Sequence, residues 1–186
     1  MPLELSVMTV VENVTVSCQS QYRNKFMTYY PDLATLDYFN LNDNSILRAV
    51  GWLGEESELI AGQVSSQFFN RLCELADNSW QPTFFRGLHD CELCQIQRGE
   101  EPARGVANLF IPFGGVIYVA PELILHYISE HQYVPPDVFV EAVVQCPDMR
   151  TKDYKELILK NGGAELIDMW LSGSARYGIS FGEWDK

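Results

Sequence analysis

The sequence predicts an α+β fold, and three observations predict it. Val106 to Phe113 and Val116 to Val119 are β-rich runs on either side of Gly114-Gly115, the arrangement that marks a hairpin. Val64, Phe68, Phe69, Leu72, Leu75 and Ala76 recur at helical spacing ahead of it. Beyond it, prolines at 121, 135, 136 and 147 punctuate short apolar stretches that read as successive helices.

In chain order, residues 3–18 alternate loosely around Val10, Val11, Val14 and Val16, and Glu12-Asn13 supplies a turn, which predicts a β-hairpin. Gln19 to Tyr38 is aromatic-rich without a clean period and is broken by Pro31, so it is expected to pack as irregular structure across the core, with the stretch Tyr22 to Phe39 covering either the core or a pocket. Asn40, Asn42, Asn44 and Asp43 form a polar turn. No glutamate stands at the distance a calcium loop needs. Ile46 to Leu53 reads as a short buried strand ending at Gly54, and Val64 to Asp77 as a helix on which Cys73 is a packing thiol.

Trp80 to Phe85 is expected to be extended, and Gln97 to Arg104 a charged loop. Ala120-Pro121-Glu122 opens a helix running to about His131, with proline in the first turn and an acid near the positive end of the dipole. Val138 to Cys146, Thr151 to Lys160 and Ala164 to Leu171 complete the helices, and Asn161-Gly162-Gly163 closes the second of these three. The glycine- and aromatic-bearing tail, residues 172–186, is expected to lie extended over the core. The whole chain, 1–186, reads as a single α+β domain. If it divides, it does so into an N-terminal part, 1–80, and a second part, 81–186.

Composition narrows function. Hydrophobic residues at 47% and aromatics at 12% describe a folded chain. Thirteen lysines and arginines against 25 acids give a net charge of −12, and no basic run relieves it, so nucleic acid is not an expected partner. The acidic balance suits solubility, or a basic protein partner. The N-terminal stretch has no basic region of the kind that starts a secretory signal, and no apolar run has the length of a membrane span. Five cysteines, an odd number, fit a cytoplasmic, reducing compartment with free thiols.

One stretch carries chemistry. Arg86-Gly87-Leu88-His89-Asp90-Cys91-Glu92-Leu93-Cys94 places His89, Cys91 and Cys94 within six residues, as nitrogen and sulfur donors able to wrap one ion, zinc above all. Knuckle, hairpin and helix in that order form a treble-clef-like module, in which the helix completes the ligand set. Its candidates are His126 and His131. The stripe of Leu123, Ile124, Tyr127 and Ile128 favours His131 as the inward residue, and nearness to the helix start favours His126. The expected metal set is therefore His89, Cys91, Cys94 and His126, with His131 as the alternative fourth ligand. Glu122 or Glu130 is expected to orient His126 through its other ring nitrogen.

Two other uses of the knuckle are weaker. A redox C-x-x-C pair is opposed by Asp90 and Glu92, which raise thiol pKa values. A catalytic zinc would leave one position open for water and use Glu92 or Glu122 as base. The sequence contains no P-loop, dinucleotide fingerprint, nucleophile elbow or H-E-x-x-H. ββα-metal nucleases need a basic surface that this acidic chain lacks.

The words Leu47-Arg48-Ala49-Val50-Gly51-Trp52-Leu53, Phe85-Arg86-Gly87-Leu88-His89-Asp90-Cys91-Glu92-Leu93-Cys94, and Tyr118-Val119-Ala120-Pro121 through His126-Tyr127-Ile128 to His131-Gln132-Tyr133-Val134-Pro135-Pro136 carry a resemblance. Together they resemble an uncharacterised bacterial family of small cytosolic proteins, over about residues 38–145. The resemblance implies a bacterial source and a shared use for the clustered histidines and cysteines, and it brings no catalytic role with it. The expected function is that of a binding or regulatory protein with a structural zinc site. It would meet an unknown, possibly basic, protein partner, for instance by neutralising a toxin. The alternative is a zinc-dependent hydrolase with an open metal position.

Overall fold

The computed structural model describes residues 29–55, 57–82, 89–94 and 102–177. The hairpin expected over residues 3–18, the end of the Trp80–Phe85 run, most of the Gln97–Arg104 loop and the tail beyond residue 177 lie outside them, whereas residues 172–177, expected to be extended, continue the last helix. In chain order the elements are β1 (Leu47–Ala49), α1 (Ser66–Asp77), β2 (His89–Asp90), β3 (Arg104–Gly105), β4 (Asn108–Phe113), β5 (Val116–Pro121), α2 (Ile124–His131), α3 (Asp137–Gln145), α4 (Lys152–Lys160) and α5 (Ala164–Tyr177). The class is α+β, as the sequence predicts.

A three-stranded sheet in the order β1-β5-β4 forms the centre. β4 and β5 pair antiparallel through the Gly114-Gly115 turn, where both glycines have positive φ, and β1 joins parallel to β5 with Leu47 opposite Ile117 and Ala49 opposite Val119. The Ile46–Leu53 strand is thus shorter than expected. After Ala49 the chain turns at Gly51, whose φ is +70° and where a Cβ would stand 3.1 Å from Ile124 at the start of α2. Trp52 then lies fully buried, and its indole N–H donates to the Val119 carbonyl at 2.8 Å.

Neither outer strand offers a bare edge. β1 is covered by residues 33–36, with Leu33 N–H donating to Ala49 O, Ala49 N–H to Ala34 O and Leu36 N–H to Leu47 O. On β4, Gln81 bonds both backbone groups of Asn108, the Tyr154 hydroxyl donates to Phe110 O at 2.7 Å, and Pro112 has no N–H to present. The described part of the aromatic-rich segment covers the core. Leu36 and Phe39 are buried in it, and Tyr30 and Tyr38 pack against Trp52.

The helices close over this sheet. Ser65 caps α1 by accepting from Phe68 N–H, and Phe68, Leu72 and Leu75 form its buried stripe. Phe68 meets Phe139 of α3 edge-on, with ring centroids 6.4 Å apart. Thr151 caps α4, which buries Tyr154 and Ile158. The helix expected to open at Pro121 starts at Ile124 instead, because β5 runs through Pro121, where it pairs with Asn108 at the end of the ladder. The Asn/Asp cluster forms a single 3₁₀ turn, Asn44–Ile46, capped by Asp43.

Candidate metal centre

The knuckle is a small piece of backbone held in a defined place. β2 and β3 pair antiparallel over two positions, Asp90 opposite Arg104, and those two side chains form an ion pair at 2.8 Å. Cys91 N–H donates to Ala103 O at 2.8 Å, after which residues 92–94 are helical, so the two cysteines lie one turn apart and face the same side. Glu92, between them, reaches outward and accepts from the Glu55 N–H at 3.0 Å.

α2 brings the histidines. Ile124, Tyr127, Ile128 and His131 are its buried residues, and the helix stops just past His131, at Gln132 in the left-handed conformation. The Tyr133 hydroxyl beyond the stop donates to Asp32, which also accepts from Gly51 N–H, so the C-terminal end of α2 is tied to the loop after β1. At the other end, Gly105 of β3 approaches closely enough that a Cβ would sit 3.2 Å from Leu123. These contacts set helix and knuckle side by side, and a ligand shared between them would fasten the two together.

Cys91, Cys94, His126 and His131 converge. One donor atom from each lies within 4.8 Å of all the others. Cys94 Sγ stands 3.1 Å from His126 Nε2 and 3.4 Å from His131 Nε2, Cys91 Sγ 3.3 Å from His131 Nε2, and the two Nε2 atoms are 3.2 Å apart. A tetrahedral ion with bonds of about 2.3 Å to sulfur and about 2.0–2.1 Å to nitrogen spaces two nitrogens roughly 3.3 Å, a sulfur and a nitrogen roughly 3.6 Å and two sulfurs roughly 3.8 Å apart. The observed spacings are close to those edges, and the group could bind a metal ion. Two unprotonated Nε2 atoms 3.2 Å apart bring their lone pairs close together, and a cation at the centre removes that repulsion. Burial, reinforced by the Cys94 sulfur, pushes the Cys91 thiol up to about 11. A bound divalent cation reverses that preference by holding the thiolate.

A model for a domain of unknown function, DUF7919, matches residues 28–144. The chain belongs to the DUF7919 family. The matched DUF7919 region contains all four converging donors and ends within α3, so α4 and α5 lie beyond it. Comparison with curated proteins and with solved structures finds no match.

Within this DUF7919 chain the converging donors differ from the set expected of the sequence at one member. His126 and His131, weighed as alternatives, both reach the centre, and His89 is not among the four. The His89 ring is buried 6.3 Å from that of Trp52, its Nδ1 has no hydrogen-bond partner among the described residues, and burial lowers its pKa. β2 ends at Asp90 and the chain turns helical from Glu92, so Cys91 leaves the strand toward the histidines of α2 while the His89 ring stays beside Trp52.

Two of the carboxylates named for other roles take backbone partners. Glu92 accepts from Glu55 N–H, and Glu122 from Val106 N–H at 3.4 Å. Among the described residues the converging group contains no carboxylate. Cys73 is half-buried and Cys146 buried, both as free thiols. Cys18 lies outside the described residues. No helix among those residues is long and apolar enough to cross a membrane.

Proposed function

We propose that this DUF7919 chain is a non-catalytic binding or regulatory protein in which Cys91, Cys94, His126 and His131 hold a structural zinc ion. The observation that carries this reading is the convergence of four protein donors, two sulfurs and two imidazole nitrogens, at near-tetrahedral spacing. Thiolate and imidazole favour zinc over calcium and magnesium, which take oxygen ligands. Four protein donors support a closed site, because a catalytic zinc keeps one position for water. The ion supplies charge that holds both thiolates, and the residues around it fasten the knuckle to α2.

The partner is proposed to be a basic protein, a toxin or another regulated protein among the candidates. The net charge of −12 supports this, as do the exposed Glu74, Asp77, Asp137, Glu141 and Asp148 on and beside the packed pair α1 and α3. The rival reading, a zinc hydrolase with an open position, requires one of the four donors to stay off the metal and a carboxylate to take the water proton.

Metal analysis of the purified protein, wild type beside His126→Ala and His131→Ala, separates the two. One tightly held zinc, lost in both variants together with order in the knuckle, supports the fastener. A variant that keeps both its fold and its zinc and gains hydrolytic turnover supports the enzyme.

A further inference from the structure

Resting on the zinc reading above, we infer that Cys91 and Cys94 are also a redox latch. A peroxide converts them to a disulfide, the zinc leaves, and the β2–β3 knuckle opens while the three-stranded core stays folded. Three features of the site carry this.

The two sulfurs lie one helical turn apart with their donor atoms within 4.8 Å, so small rotations about Cα–Cβ bring them to bonding distance. Access is one-sided. Cys91 is fully buried, whereas Cys94 is 7% exposed and stands 3.1 Å from His126, the one half-buried member of the group. Among the described residues the framework around the pair is also small: two residue pairs between β2 and β3, the Asp90–Arg104 ion pair, the Cys91–Ala103 hydrogen bond and the Glu92 contact to Glu55 N–H. Strands of that length do not persist without further fastening. The sheet β1-β5-β4 supplies none of the four donors, and only Cys91, Leu93 and Cys94 of the knuckle pack into the core cluster it shares with the helices, so most of that core stays in place when the knuckle opens.

The chemistry balances as follows. The Cys94 sulfur attacks one peroxide oxygen, the O–O bond breaks, hydroxide departs and the cysteine becomes a sulfenic acid. The Cys91 sulfur then attacks the Cys94 sulfur, forming the S–S bond and expelling the second oxygen as hydroxide. Two thiolates have lost two electrons, and hydrogen peroxide with two protons from solvent has become two waters. The neutral disulfide no longer ligates, and two imidazoles alone do not retain the ion.

The test uses the full chain loaded with one zinc and carrying Cys73→Ser, which removes a half-buried competing thiol. Hydrogen peroxide is added while zinc release to a chromogenic chelator, peptide masses and hydrogen exchange are followed. The expected result is one equivalent of zinc released per Cys91–Cys94 disulfide, with faster exchange confined to residues 89–94 and 102–105, and reversal by a dithiol plus zinc. Zinc retained over a reduced pair overturns the latch, as does release accompanied by sulfinic or sulfonic acid, or exchange that spreads to β4 and β5. A reduced chain that takes up no zinc before peroxide is added overturns the metal reading itself, so the two failures are distinguishable.

Discussion

His89 separates donor chemistry from donor placement. It sits two residues from Cys91 in a run that reads as a ligand word, yet its ring belongs to the Trp52 layer. His89→Ala is therefore expected to keep one zinc while losing about 1–3 kcal/mol of stability through the cavity left beside Trp52. Metal analysis and urea unfolding read the two effects, and loss of the zinc would restore His89 to the ligand set. For His131→Ala and His126→Ala the order is reversed, because each removes a donor. Zinc affinity should fall by more than about 100-fold in both, beyond the cost of losing a ligand's supporting contact, as measured by chelator competition. The cysteines were legible because C-x-x-C has few uses outside metal and redox chemistry. The choice between the two histidines was not, because five residues place them roughly 140° apart round a helix, which looks like two different faces. Imidazoles reaching from either side of one flank cover that angle, and their rings meet with centroids 4.9 Å apart.

Among the elements, the hairpin, α1 and α2–α5 were legible because apolar period and capping act within a few residues of each other. Ser65 and Thr151 accept from the amides three residues on, as N-caps do. The parallel pairing of β1 with β5 joins residues some seventy positions apart and leaves no local trace. Pro121 misled for a related reason. A proline before a helical run suits a first turn, but the end of a ladder tolerates its missing N–H equally well, and here β5 claims it. The edge of β4 shows what such distant contacts stabilise. Tyr154, wholly buried on α4, donates to the Phe110 carbonyl at 2.7 Å. Tyr154→Phe keeps the ring and strands that acceptor, so a loss of about 1–2 kcal/mol is expected in urea unfolding, with zinc content unchanged. A neutral result would mean that the edge of β4 is satisfied some other way.

For the whole molecule, zinc in the proposed site would couple a proton balance to local order. Without the ion, the Cys91 thiol keeps its proton up to about pH 11, mainly because burial disfavours the thiolate. With zinc bound, the sulfur carries none. The bound state therefore holds fewer protons, so affinity rises with pH below about 11 and falls on acidification, by about tenfold per pH unit from Cys91 alone. At fixed free zinc in excess, each unit of acidification should remove about 1.4 kcal/mol from the closure of the knuckle. The three-stranded sheet takes no part in this exchange, since its buried residues, Phe110, Ile111, Ile117 and Val119 among them, lie outside the donor set. Titrating zinc affinity from about pH 9 to about pH 6, with far-ultraviolet circular dichroism followed alongside, tests both halves of the argument. Affinity should collapse while most secondary structure persists, and chelation at constant pH should reproduce the same partly opened state. An affinity flat across that range would mean that no buried thiol gives up a proton to the metal. A loss of all helical signal with the zinc would mean that the ion holds the core as well as the knuckle.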